Sequence, residues 1–367
     1  LFRENNQDMM RNRHNNTLFL LMFFSLLLSS AVFAGNKDRI GQNGANELSI
    51  NPWTRSAGFA NANSTSVIGL ESLASNISGL AFTPKTEIQY GFTRFMGGAS
   101  NINTFGLAQK VGEGNVIGFS ITNMAFGDID VTTEDNPEGG IGVYAPQFLN
   151  LNLAYARAFS NSIYAGIAVK MISESITDVK TQGVAFDIGI RYVTGKDDNL
   201  KFGIALRNIG PKLKFEGNGL SVKTDFEDKE FTFNQRSEAF EMPAELNMGV
   251  AYDFYVGSVS DTSGKSEKTE HRITPAGTFV SKSFGKDELR VGAEYAWREM
   301  VMGRVGLMYE QGIFSPNDRS TMYTGPSAGL SFVYPINENG TTIAIDYSYV
   351  FTNPYGGNHL FGLRLNL

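Results

Sequence analysis

Cysteine is absent from this chain of 367 residues, which excludes disulfide staples and thiolate metal ligands alike. Histidine is scarce, with three in all. His271 and His359 stand far apart in sequence, so no His/Cys metal centre and no cofactor is expected. An excess of positive charge is also missing. With 31 Lys and Arg against 37 Asp and Glu the net charge is −6, and a nucleic-acid partner, which needs a basic face, is not expected. Beyond residue 34 no apolar run approaches the roughly 20 residues that a membrane-spanning helix requires. There is no phosphate loop and no glycine-rich nucleotide motif. What is abundant is Gly, at 40 residues, and Phe, at 28.

The N-terminus reads as an export signal. Arg11, Arg13 and His14 precede an uncharged apolar run over residues 18–33, closed by Val32-Phe33-Ala34 and then Gly35. A basic flank, a short apolar core and a small-residue cleavage site are the parts of a signal peptide. Residues 1–34 are therefore assigned to upstream sequence and signal peptide. An exported chain without a spanning helix is secreted, periplasmic or a β-barrel.

Alternation decides among these. Leu149, Leu151, Leu153 and Tyr155 alternate with Asn150, Asn152, Ala154 and Ala156. Val184, Phe186, Ile188, Ile190 and Tyr192 alternate with Ala185, Asp187, Gly189 and Arg191, and the same period marks four later stretches. Successive side chains of a strand point to opposite faces, so one face is continuously apolar and the other is small, amide or charged. Segments of about 10 residues are what tilted strands need to cross hydrocarbon; soluble strands run nearer 5 or 6. The apolar runs end in aromatics such as Tyr155, Tyr192, Trp297 and Tyr349, as interface girdles do. Hydrocarbon allows no open sheet edge, so a spanning sheet must close. The expected fold is all-β: a transmembrane antiparallel β-barrel of about 14 strands over residues 86–367, set in the lipid of a cell outer membrane. The even count puts both ends on the periplasmic side.

Short turns are expected at 112–114, 160–162, 194–199, 298–300 and 335–340, and long outer loops at 125–146 and 210–242. The polar stretch 256–270 breaks this order, reading either as one long inner loop or as a missed element. Residues 35–85 are rich in Ala, Ser, Asn and Gly and lack strand alternation. They are expected to form a plug-like segment in or under the barrel, with a short helix over 67–74 capped by Ser66. Residues 359–367 alternate up to Leu367, which resembles the assembly signal of outer-membrane proteins. Asp187, Asp253, Glu294 and Asp346 fall on the inward face. They are expected to pair with Arg191, Arg207, Arg290, Arg304 and Arg364, because a lone buried charge is expensive. No nucleophile-and-His arrangement stands out, and the protein is not expected to be an enzyme.

The N-terminal segment carries a resemblance. Gln42-Asn43-Gly44-Ala45-Asn46-Glu47-Leu48-Ser49-Ile50, then Arg55-Ser56-Ala57-Gly58, then residues 69–81 with Asn76-Ile77-Ser78-Gly79-Leu80, resemble the N-terminal signature of the PorV/PorQ family. Those are FadL-like outer-membrane barrels associated with the type IX secretion system. The family's usual Asn-Pro-Ala-Gly-Leu is Asn76-Ile77-Ser78-Gly79-Leu80 here. Residues 185–189 and 206–217 are similar to two further family segments. The resemblance implies a 14-stranded barrel with its N-terminal segment inside, and a role in protein transport. The implied partners are a secretion channel or surface-attachment complex and the C-terminal signal domains of secreted cargo. Arg55, Gly58, Asn76 and Gly79 mark the segment's motif. Recognition would fall to the outer loops, where Phe226, Phe231, Phe233 and Phe240 are apolar residues that either bind a partner or pack on the barrel rim. The alternative that FadL-like architecture implies is a channel for hydrophobic solutes such as long-chain fatty acids.

Overall fold

The computed structural model describes residues 37–226, 229–260, 267–337 and 340–367; the signal peptide assigned to residues 1–34 lies outside the described residues. Fourteen antiparallel strands close into a barrel: β1 (Thr86–Phe95), β2 (Ser100–Lys110), β3 (Asn115–Ala125), β4 (Gln147–Ala158), β5 (Ile163–Ile176), β6 (Val179–Thr194), β7 (Leu200–Ile209), β8 (Glu245–Tyr252, continued past Asp253 as Phe254–Ser260), β9 (Glu267–Lys282), β10 (Glu288–Trp297), β11 (Val301–Glu310), β12 (Tyr323–Pro335), β13 (Thr342–Thr352) and β14 (Asn358–Asn366). Each strand pairs with its neighbours in sequence. β1 and β14 close the sheet, from Glu87 opposite Asn366 to Arg94 opposite His359.

The wall is inside out. Leu153, Ile204 and Ile345 on the outward face are 58%, 56% and 63% exposed, while their neighbours Ala154, Ala205 and Ala344 are buried. A soluble β-sandwich buries its apolar face; a wall that shows it is matched to hydrocarbon.

The stretch 256–270 is mostly strand rather than loop. β8 and β9 run on as a two-stranded ribbon, from Phe254 opposite Ile273 to Ser260 opposite Glu267. The next strand stops earlier, with Trp297 opposite His271. A strand that projects past its neighbours has no lipid face to cover. Past His271 its sequence is mostly polar, Gly257, Ser258 and Ser260 with Glu267, Lys268 and Thr269 around Val259, and apolar alternation does not reveal it.

The lumen is occupied by the N-terminal segment. It contains the one-turn helix α1 (Thr54–Gly58) and tight 3-10 turns over Asn46–Ser49, Gly69–Ala74 and Ile77–Phe82. Trp53, Phe59, Leu70, Leu73, Ile77 and Leu80 are fully buried. Room for them comes from small inward residues. Gly91, Gly106, Gly118, Gly166, Gly189, Gly203, Gly249, Gly292, Gly306, Gly329 and Gly362 all abut residues 52–80. At Gly306 a Cβ would lie 2.7 Å from the backbone N of Ala60. These eleven glycines thus make room for chain inside the barrel.

The helix expected over 67–74 with a Ser66 cap is not formed. Ile68 is extended (φ −129°, ψ 155°), no side chain caps the turn, and the 3-10 turn begins only at Gly69. Gly69 itself has φ +72°, a left-handed conformation that ends any helix arriving from Val67.

Candidate functional site

The inner segment is organised around one carboxylate. Glu71 is fully buried. It accepts hydrogen bonds from Arg55 Nε (3.0 Å) and N (3.2 Å), Ser56 N (2.9 Å) and Oγ (2.8 Å), and Gln89 Nε2 (3.1 Å). Burial alone would raise its pKa. The Arg55 guanidinium, with the Ser56, Gln89 and Arg55 hydrogen bonds, outweighs burial and holds the carboxyl at about 2. Gln89 belongs to β1, so this hub also ties the segment to the wall.

The four motif positions all lie in the lumen but do not converge on one point. Arg55 serves Glu71. Asn76 caps the Ile77–Phe82 turn, its side chain accepting from Ser78 N at 3.2 Å, as an N-cap does, while its Nδ2 donates to Ile190 O of β6 at 3.3 Å. Gly58 lies against β12, where a Cβ would sit 2.9 Å from Gly329 Cα. Gly79 lies under Arg191, with Nη2 only 2.8 Å from where its Cβ would be.

Most inward carboxylates find cations. Asp187 meets Lys170 at 2.6 Å and Arg207 at 3.8 Å. Glu294 meets Arg304 and, at 2.8 Å, Arg272. Asp253 meets Lys201, and Asp346 meets Arg364 at 3.9 Å. Arg290 pairs instead with Glu288, at 2.5 Å. The expected pairing of Arg191 with a carboxylate is not seen. It donates to Val67 O at 2.5 Å and lies 5.0 Å over the Phe82 ring, because the inner segment reaches it before any acid does. Lys170, Arg272 and Glu288 are not among the charges expected from the sequence, although each falls on the inward phase of its strand.

Two cavities lie on either side of α1 and the turn after it. Ala57, Ala60 and Asn61 face the one toward the long-loop end, about 300 Å³, whose wall includes Ile50, Phe95, Met308, Met322, Leu360 and the Lys282–Glu288–Arg290 cluster. Arg55, Phe59 and Asn63 face the other, about 370 Å³, lined mainly by charged residues such as Lys201, Asp253, Arg272 and Arg304.

Beside the first cavity the wall is frayed. The β11–β12 ladder runs from Val301 opposite Phe332 to Leu307 opposite Pro326 and stops there. Pro326 has no N–H to give a ladder, Gly325 has φ +111°, and the β12–β13 register shifts between Tyr323 and Ser327. Ile313 from the following loop is fully buried over this seam, with Met308, Tyr323 and Ala60.

At the long-loop end, the 210–242 connection folds partly into a ribbon of Ser221–Phe226 with Lys229–Asn234. Phe231 and Phe233 are 40% and 59% exposed, with ring centroids 6.4 Å apart. Phe240 is instead half-buried, 5.3 Å from Phe215 and packed against Leu213 and Met242. The Phe226 side chain lies outside the described residues. Among the described residues no group of three or more His, Cys, Asp and Glu side chains is gathered as metal ligands.

The closed 14-strand barrel with an inside-out wall is a fold that solved structures share. CymD, a monoaromatic hydrocarbon channel, superposes with a TM-score of 0.50 at 13% identity over 90% of this chain and 97% of that one. A Pseudomonas aeruginosa FadL homologue gives 0.50 at 12% identity over 85% and 97%. TbuX, the toluene transporter of Ralstonia pickettii, gives 0.49 at 11% over 86% and 97%. At such identities the likeness is one of fold alone. No protein-family model matches the chain, and no curated protein matches it.

Proposed function

We propose that this barrel is an outer-membrane channel for hydrophobic solutes, such as hydrocarbons or long acyl chains. The observation that carries this reading is the 300 Å³ cavity with its apolar flank of Ile50, Phe95, Met308, Met322 and Leu360. Its volume is at the lower end of small-molecule sites. The charges at one side, Lys282, Glu288 and Arg290, bond to one another, which leaves the apolar flank to a neutral group. CymD, which shares the fold, is a hydrocarbon channel. In this reading the N-terminal segment is a plug, and a solute leaves the cavity only if the plug or the Ile313-covered seam yields. The test is uptake. A deletion strain should grow poorly on long-chain fatty acids or aromatic hydrocarbons, and Met308→Arg, which puts a charge into the apolar flank, should fail to restore growth. Normal growth of the deletion strain on all of them would sink the reading.

A second reading is a component of type IX secretion that binds cargo signal domains at the cell surface. Two observations favour it: the motif resemblance of residues 42–81, and the solvent-facing Phe231 and Phe233 on the outer ribbon. Affinity purification from native membranes decides it. Recovery of a secretion channel, a surface-attachment complex or proteins with cargo signal domains supports this reading, and recovery of none of them removes it.

A further inference from the structure

Two buried acids meet with no cation between them. Glu47, in the Asn46–Ser49 turn of the inner segment, and Glu174, near the outer end of β5, are 9% and 5% exposed. Neither forms an ion pair among the described residues. Their carboxyl groups hydrogen-bond to each other, and Glu174 also accepts from the backbone N–H of Ala45. Neither oxygen of Glu47 has a protein donor in full hydrogen-bond geometry, and the Asn150 side chain and the residue's own N–H do no more than offset part of the burial. The other charged groups of the region are committed. Lys170 of β5 binds Asp187 of β6 and Asn208 at 2.6 and 2.7 Å, and Arg207 of β7 binds Glu245 of β8 at 3.1 Å and Leu48 O at 3.3 Å. Beyond the turn, Arg39 and Lys212 both pair with Glu241, at 2.8 and 3.3 Å. β4 contributes the neutral Asn150 and Asn152 to the cavity of about 50 Å³ at Glu47, and the neutral Thr181 of β6 stands opposite Glu174.

Two ionised carboxylates are acceptors only, and like charges in contact at such burial cannot both persist. A hydrogen bond between these two groups therefore needs a proton. Burial first, and then the charge of Glu174, push the Glu47 carboxyl up to about 8, so Glu47 is the one that carries it. We propose that Glu47 and Glu174 share one proton and form a pH-sensitive clasp between the inner segment and the wall. With the proton in place Glu47 donates to Glu174 and the turn is held. When it is lost, two buried carboxylates repel each other and the clasp opens. Asn46 and Ser49 of the same turn, and Ile50 after it, line the apolar cavity, so opening the clasp loosens one side of that cavity. The clasp follows from the pair alone, whichever solute or partner the barrel serves.

The test is a pH titration of the mature barrel in detergent. An acid whose pKa is higher in the folded state binds its proton more tightly when folded. Its share of stability is fully present below the ordinary value of 4.5 and is lost as pH rises through about 8. Over that window the wild-type melting temperature should fall further than that of Glu47→Gln, whose amide still donates to Glu174 but has no proton to lose. Trp53 lines the same small cavity as Glu47, while Trp297 faces outward. In a Trp297→Phe background the fluorescence of Trp53 therefore reads the site directly, with a transition near pH 8. Glu47→Gln should remove that transition. Glu174→Gln, which takes away the like charge, should move it down by about one pH unit or more. Glu47 lies outside the wall, so Glu47→Gln decides the matter even if Glu174→Gln does not fold; the heat-modifiable gel shift reports folding. Melting curves of wild type and Glu47→Gln that run parallel across pH, or a Trp53 transition that survives in Glu47→Gln, would overturn the proposal.

Discussion

The inner segment and the outer ribbon both lack the apolar alternation of the wall, yet they end in opposite environments. Residues 52–82 are almost wholly buried, with Ser56, Thr65, Ser72 and Ser78 as deep as Leu70 and Leu80. The ribbon of Ser221–Phe226 and Lys229–Asn234 shows Val222, Phe231 and Phe233 to solvent. The lumen is a polar interior, so it accepts small and hydroxylated side chains that bond to the wall, as Ser348 Oγ does to Thr54 O at 2.6 Å. The ribbon lies beyond any such interior, and Phe231 and Phe233 face solvent with their ring centroids 6.4 Å apart.

Four changes would break or sharpen this contrast, in descending order of expected effect. Gly306→Leu places a side chain into the backbone of Phe59 and Ala60 and should abolish the heat-modifiable folded barrel. Gly303→Leu, on the outward face of the same strand, meets only Leu330 at 3.8 Å and should fold normally. If both fold alike, close packing of the inner segment is refuted. Glu71→Ala strips Arg55 of its buried partner and should cost about 3–5 kcal/mol in denaturant unfolding. A cost near zero would show that the hub is not needed to hold the segment.

The third change is in pH. Glu71 titrates near 2 when folded, below the ordinary value of 4.5, so its stabilisation is fully present above pH 4.5 and is lost as pH falls towards 2. Over that window the wild type should lose more stability than Glu71→Gln. Parallel acid-unfolding curves would contradict the assignment. Fourth and smallest, Phe231→Ser with Phe233→Ser should change stability by no more than about 0.5 kcal/mol while removing any partner that the ribbon binds. A large loss of stability would mean that these rings support the barrel rim.

Much of the wall was legible in the sequence because a strand's alternation is written residue by residue. Leu153 beside Ala154 already states which side meets lipid. The ribbon that extends β8 and β9 was not legible, because its function in the sheet needs no apolar face. The inward charges were legible as a class, but their partners were not. Nothing in the sequence near Arg191 says that Val67 and Phe82 reach it first, and nothing near Glu71 names Gln89. Of the inner segment, Arg55, Gly58, Asn76 and Gly79 carry the motif, but the separate contacts that each makes appear only with their neighbours.

By itself the sequence determined a closed sheet with an apolar exterior, since a period of two, strands of membrane-crossing length and the exclusion of open edges from hydrocarbon leave no other arrangement. Only the tertiary structure decided what the barrel holds. Closure brings Gly306 of β11 to Phe59, and Glu174 of β5 to Glu47. Such meetings depend on the stagger of the strands around the ring, a property of all fourteen together and of no single stretch of sequence.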